Sequence, residues 1–254
     1  MNSNDVALKL VNVSKTFYIA ENKQDTIREK VFNAFSKNSK KKIEAVKQIN
    51  LEIKKGELFA IIGKNGSGKS TLLNIIMGVP PADRGSIIEI NGKIMRLSLG
   101  MGFNPNLTAR ENIFVNGTIL GLSVEELKEK VDEIIEFAEL ENFIDTPVRF
   151  FSAGMRARLG FSIAIQARTE IFLFDEFFGG VGDLVFKKKS NEVFEKSLLA
   201  GKTIVLVTHS IQLVKKHSTR AMLMDMGNPV MIGDPKAVIY KYKEITNTVN
   251  DKIY

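Results

Sequence analysis

The chain divides into stretches of strand-like and helix-like periodicity. Residues 7–16 alternate apolar and polar positions, the period-two pattern of a half-buried strand. Residues 19–42 break it: a polar stretch leads into TIREKVFNAF and ends in Lys40-Lys41-Lys42. Ile27, Val31 and Phe35 fall four apart with Phe32 and Ala34 beside them, which predicts a short amphipathic helix followed by a basic turn. Residues 45–54 predict a second strand, with a turn at Gly56. Residues 57–62 predict a buried strand that runs into a glycine-rich loop. Residues 104–168 read as mostly helical, most clearly over VEELKEKVDEIIEFAEL. Buried strands follow at 171–174 and 203–207. A strand pair over 221–232 turns at Gly227-Asn228, and a short helical tail starts at Pro235. Apolar strands alternating with helices predict a three-layer α/β domain on a parallel sheet, with the 104–168 stretch as an all-helical insert.

Composition narrows the class. At 254 residues with 44% hydrophobic and 26% charged positions, the chain matches an ordinary globular protein. A chain of this size hides roughly 70–75% of its unfolded surface. Disordered, collagen-like and coiled-coil classes are excluded. There is no apolar run of spanning length and no apolar segment near Met1 of the kind that directs secretion. The absence of cysteine excludes disulfides and thiolate metal sites. Residues 1–55 hold twelve Lys/Arg against six Asp/Glu, so six of the seven net positive charges lie there. Such an end serves nucleic acid, an anionic membrane surface, or solubility alone.

Gly63-Lys64-Asn65-Gly66-Ser67-Gly68-Lys69-Ser70-Thr71 has the spacing G-x-x-x-x-G-K-[ST] between a predicted strand and a predicted helix. The glycines let consecutive backbone N–H groups turn inward on phosphate oxygens, and the helix start adds its positive end. Lys69 supplies a point charge for the β- and γ-phosphates, and Ser70 a hydroxyl ligand for Mg²⁺. These residues imply ATP and Mg²⁺ as cofactors.

Phe172-Leu173-Phe174-Asp175-Glu176 is a buried strand ending in two carboxylates. Strand ends of a parallel sheet line the crevice beside such a loop. Asp175 is placed to hold Mg²⁺ through water, and Glu176 to act as general base or water-positioning group. TIVLVTHS puts His209 at the end of another strand, within reach of the γ-phosphate. Ser152-Ala153-Gly154-Met155 opens a further helix with a capping serine and small residues, a second anion site. One ATP does not need both sites on one subunit. Two subunits arranged head-to-tail would each offer this helix to the other's nucleotide.

In order and spacing these motifs resemble the ATP-binding cassette ATPases over nearly the whole chain. The resemblance implies an α/β phosphate-loop NTPase of the ABC nucleotide-binding type: a mostly parallel sheet core with an antiparallel β subdomain and a helical subdomain. It places Phe17 at the adenine-stacking position, likens Ser152–Met155 to the family's Ser-Gly-Gly-Gln signature, and likens Gly182-Asp183 to its dimer-interface loop. The segments Leu99–Ile113 and Phe150–Ser162 resemble the subgroup that exports O-antigen, capsule and teichoic acid. Two departures stand out. The metal-touching glutamine of other cassettes is missing, leaving Asn104 or a water to take its place. Five residues rather than four separate Glu176 from Gly182.

The resemblance implies an ATPase working as a homodimer beneath two copies of a separate permease, peripheral to the cytoplasmic face of the inner membrane. Its cargo would be a lipid-linked polysaccharide or teichoic-acid-like polymer. The sequence ends soon after Tyr242, and the expectation drawn from this is an exporter subunit without the C-terminal carbohydrate-binding domain that some carry. Other expectations stay open: another cargo such as a drug, lipid or peptide, or a soluble cassette acting on ribosomes or DNA. The 19–42 insertion has three readings: a helix packed on its own sheet, contact of residues 25–42 with permease or lipid headgroups, or nucleic-acid binding. The last is disfavoured because no aromatic–basic interleaving accompanies it.

Overall fold

The computed structural model describes residues 5–20, 40–97, 102–175, 186, 192 and 201–250. Two sheets organise them. The smaller is antiparallel, in the order β2-β1-β4, built from β1 (Val6–Ala20), β2 (Lys40–Lys54) and β4 (Ile87–Ile90). The larger runs β5-β6-β7-β3-β8-β9, from β3 (Leu58–Ile62), β5 (Ile94–Leu97), β6 (Ile171–Asp175), β7 (Thr203–Val207), β8 (Arg220–Asp225) and β9 (Asn228–Gly233). All its neighbouring pairs are parallel except β8 with β9.

The central strands β3, β6 and β7 read as apolar runs because both faces of the sheet are covered there. On β3, Phe59 and Ile61 face a core shared with the antiparallel sheet and with Leu72 and Leu73 of helix α1 (Lys69–Ile76). Ala60 and Ile62 face the opposite way, onto Val214 of α5 (Ile211–His217) and Val238 of α6 (Pro235–Asn250). On β6 the same alternation sends Leu173 toward α1, and Phe172 and Phe174 toward Phe161 of α4 (Ala153–Ala164).

The expected helical stretch consists of α2 (Ala109–Ile119), α3 (Val124–Ala138) and α4 around a core of their own, including Ile113, Leu127, Ile134 and Leu159. Thr108 and Ser123 each close a reciprocal capping box, with Glu111 and Glu126 respectively. Two strands, β4 and β5, have no counterpart in the sequence expectation. The Lys40–Lys42 run is also not a turn: it belongs to β2, with Lys41 opposite Ile19 and Lys42 opposite Tyr18. The amphipathic stretch around Ile27 to Phe35 lies outside the described residues.

Candidate nucleotide site

The glycine loop leaves the buried end of β3 and feeds α1. Two glycines are required by close backbone approach. A Cβ on Gly63 would stand 2.2 Å from the Met224 carbonyl oxygen, and one on Gly68 would stand 2.2 Å from that of Ala45. Gly68 also holds a φ of +101° as the N-cap of α1, and no side chain caps that helix start. Its first N–H groups therefore point into a cavity of about 510 Å³, lined by Ile43, Glu44, Ala45 and Lys47 of β2, by the loop from Asn65 to Thr71, and by Met226 and Gly227.

The loop's polar groups fit an anionic ligand. Lys69 is nearly buried, and its Nζ spans the loop, donating to the carbonyls of Gly63 at 2.8 Å and Lys64 at 2.9 Å. The Ser67 hydroxyl is buried with no hydrogen-bond partner among the described residues. A cradle too tight for a Cβ and an orphaned hydroxyl both suit phosphate oxygens.

Asp175 ends β6 beside this loop. Its Oδ1 accepts from the Ser70 hydroxyl at 3.1 Å and its Oδ2 from Arg96 Nη2 at 2.7 Å. Arg96 Nη1 donates in turn to Asn74 Oδ1. The hydroxyl and the carboxylate are hard oxygen donors, as Mg²⁺ requires, and two protein donors suffice where phosphates and water complete the shell. Arg96 and Asn74 also line a second cavity, of about 660 Å³, between α1 and the helical unit.

The remaining predicted residues distribute as follows. His209 is exposed, two residues beyond β7, whose Val207 lies opposite both Asp175 and Ile61. It therefore emerges at the same sheet edge as Asp175 and the glycine loop. Ser152 caps α4, its hydroxyl accepting from the Met155 N–H at 3.1 Å. Ser152 and Ala153 are exposed, and Gly154 and Met155 are half-buried. Phe17 is half-buried opposite Ile43, with the Lys15 ammonium 5.6 Å from its ring centre. It neighbours the cavity without lining it. Asn104 Oδ1 accepts from the Asn106 N–H at 3.0 Å within its own turn. Glu176, Gly182 and Asp183 lie outside the described residues.

Sequence reasoning missed Arg96. The available signal is one arginine in the otherwise apolar strand IMRL.

A glycine loop at the edge of a parallel sheet, with a lysine across it and a strand-end carboxylate beside it, defines a phosphate-loop nucleotide-binding domain. The chain belongs to the ABC transporter family, whose model matches residues 46–179. It is 36% identical over 236 residues to an O-antigen export system ATP-binding protein of Klebsiella pneumoniae, covering 92% of this chain and 96% of that one. It is 40% identical over 238 residues to a teichoic acids export ATP-binding protein of Enterococcus faecalis, covering 94% of this chain and 52% of that one. The chain thus spans about half the length of the latter relative. Among solved structures it superposes on the dimeric ATP-binding cassette MJ0796 bound to ADP and phosphate, with a TM-score of 0.70 and 27% identity. That match covers 90% of this chain and 98% of the other.

Proposed function

We propose that the chain is the ATP-hydrolysing subunit of an exporter that moves a lipid-linked cell-surface polysaccharide or teichoic-acid-like polymer across the cytoplasmic membrane. The observation that carries this reading is the similarity along nearly the full length of the Klebsiella pneumoniae O-antigen export protein, 96% of it. The phosphate loop, Ser70 and Asp175 meet at one sheet edge, which supports the ATPase part.

In this reading Gly63–Thr71 binds the phosphates, and Lys69 carries the charge that holds them. Ser70 and, through water, Asp175 hold the magnesium ion, which when bound neutralises charge developing on the phosphates. Glu176 orients the attacking water, and His209 hydrogen-bonds the γ-phosphate from the neighbouring strand end. Phe17 stacks on adenine. The helix start at Ser152–Met155 faces the nucleotide of a second copy, and Asp183 lies at the junction between the copies. The dimer works beneath two copies of a separate permease, peripheral to the membrane's cytoplasmic face. Residues 25–42 supply a basic contact to that permease or to lipid headgroups.

The test of the chemistry is ATP turnover by the purified chain with its permease. Glu176→Gln should retain ATP unhydrolysed and hold the dimer closed. Undiminished turnover removes Glu176 from its role. The test of the cargo is disruption of the gene: surface polymer should disappear while lipid-linked polymer accumulates inside the cell. Unchanged surface polymer overturns the assignment.

A further inference from the structure

Arg96, Asp175, Ser70 and Asn74 close a ring of polar contacts that the phosphate-loop motif does not explain. Ser70 and Asn74 lie four apart on α1, so they share one face of that helix. Across from them, β5 and β6 pair in parallel with Arg96 opposite Leu173. Asp175 is two residues beyond Leu173, so Arg96, Leu173 and Asp175 stand on the sheet face that looks at α1. Two bonds then join the helix face to the strand face. Ser70 donates to Asp175 Oδ1, and Arg96 donates with one arm to Asp175 Oδ2 at 2.7 Å and with the other to Asn74.

Among the described residues the guanidinium is held through its two outer nitrogens. Its Nε–H is buried and finds no acceptor among the described residues. An orphaned buried donor costs stability, so packing of the strand does not account for an arginine at this position. An arginine fork has fixed geometry. By gripping Asp175 on Oδ2 it turns Oδ1 toward Ser70, the other oxygen donor of the proposed metal position.

We propose that Arg96 is a positioning residue for the metal-holding carboxylate: anchored on Asn74, it fixes the rotamer of Asp175 so that Oδ1 and the Ser70 hydroxyl face one divalent cation. The inference rests on the nucleotide-site reading above. Outer partners that orient a ligating group set metal affinity through that group, and their loss costs about tenfold or more in metal affinity.

The experiment separates metal binding from nucleotide binding in the full-length chain. Mn²⁺ affinity is read by electron paramagnetic resonance in the presence of a non-hydrolysable ATP analogue. Affinity for the same analogue in EDTA is read by calorimetry. Arg96→Met should weaken Mn²⁺ about tenfold and leave the metal-free nucleotide affinity unchanged. Asn74→Ala, which removes only the anchor, should shift Mn²⁺ affinity the same way by less. Arg96→Lys, which keeps the charge and loses the fork, should restore it only in part. Unchanged or tighter Mn²⁺ binding overturns the proposal, as does equal weakening of both affinities, the mark of a merely structural role. Should Arg96→Met not fold, Asn74→Ala is read by the same two affinities, and the same outcomes support or overturn the proposal. A wild-type chain that binds no nucleotide with or without metal overturns instead the reading of the site.

Discussion

Ser70 Oγ donates to Asp175 Oδ1 across 3.1 Å, although 105 positions separate the two residues in the chain. The contact joins the first turn of α1 to the end of β6, so it reports whether loop and sheet edge are in register. If both oxygens serve one cation, their effects do not add. Ser70→Ala and Asp175→Asn should each lower ATP turnover by about ten- to a hundredfold, and the double variant should fall little further than the worse single one. Steady-state rates across a Mg²⁺ titration check this; multiplicative losses would place the two residues on separate tasks.

Gly66 and Gly68 sit in the same loop and predict different outcomes on replacement by alanine. At Gly66 (φ +78°) a Cβ meets nothing within 4 Å. At Gly68 (φ +101°) it meets the Ala45 carbonyl at 2.2 Å, and a backbone atom cannot swing away. Gly66→Ala should cost about 1–2 kcal/mol, the strain of a left-handed alanine. Gly68→Ala should cost clearly more and abolish nucleotide binding, because relief requires moving β2 off the loop. Urea unfolding and nucleotide titration of both variants separate local strain from displaced backbone.

Asn112 is fully buried within the helical unit, and its amide is fully used. Oδ1 accepts from the Asn104 N–H at 2.9 Å. Nδ2 donates to the carbonyls of Asn104, Leu107 and Thr108 at 3.1, 3.1 and 2.9 Å. This one side chain sets the path of the 104–108 turn leading into α2. Asn112→Leu takes the acceptor from the Asn104 N–H and one donor from each of the three carbonyls, which keep only the backbone N–H groups of Leu107, Val148 and Asn112, and should destabilise the chain by about 1–3 kcal/mol. Hydrogen exchange should quicken first at residues 104–108 and only then in the larger sheet; uniform quickening would deny the turn any separate dependence on Asn112.

The parts of this fold legible in the sequence are those whose cause is local or whose environment is uniform. The residues of β3 and β7 are all buried, so their apolar runs could only be strands of a covered sheet. The phosphate loop carries its own turn chemistry and is readable without any partner. The far end of the β1–β2 ribbon is opaque because neither periodicity nor burial marks it. Tyr18 and Ile19 are 64% and 51% exposed, and a strand wet on both faces has no apolar phase to read, so Lys40–Lys42 resembles a turn. Strand β4 is four residues long and alternates exposed and half-buried positions, too short for its period to register. Arg96 is opaque for a different reason: its meaning depends on Asp175, 79 positions away, and on the register of β5 against β6.

The helical unit should lose stability in acid through three carboxyls, those of Glu111 and Asp145 exposed and that of Glu126 half-buried. The Thr108 N–H holds Glu111 below the usual carboxylate range, and its hydroxyl adds to the effect. The Ser123 N–H does the same for Glu126, helped by Arg168. The Arg110 guanidinium, 2.9 Å from Asp145, lowers Asp145. In each case the unfolded chain takes up its proton at the ordinary carboxylate value, and the folded chain only at a lower one. The stabilisation is therefore complete above the ordinary range and declines as pH falls through it toward the depressed values. Glu111 and Asp145 are open to solvent and Glu126 is partly so, and screening keeps the effect of each small. Glu111→Gln keeps an acceptor for the Thr108 cap and removes the titration, and Asp145→Asn breaks the ion pair. Thermal melting between pH 7 and pH 3 should show a shallower acid decline for the doubly substituted chain than for wild type, with the two curves converging at the acid end. Parallel curves over the whole interval would mean that the Glu111 cap and the Arg110 pair contribute nothing to acid sensitivity.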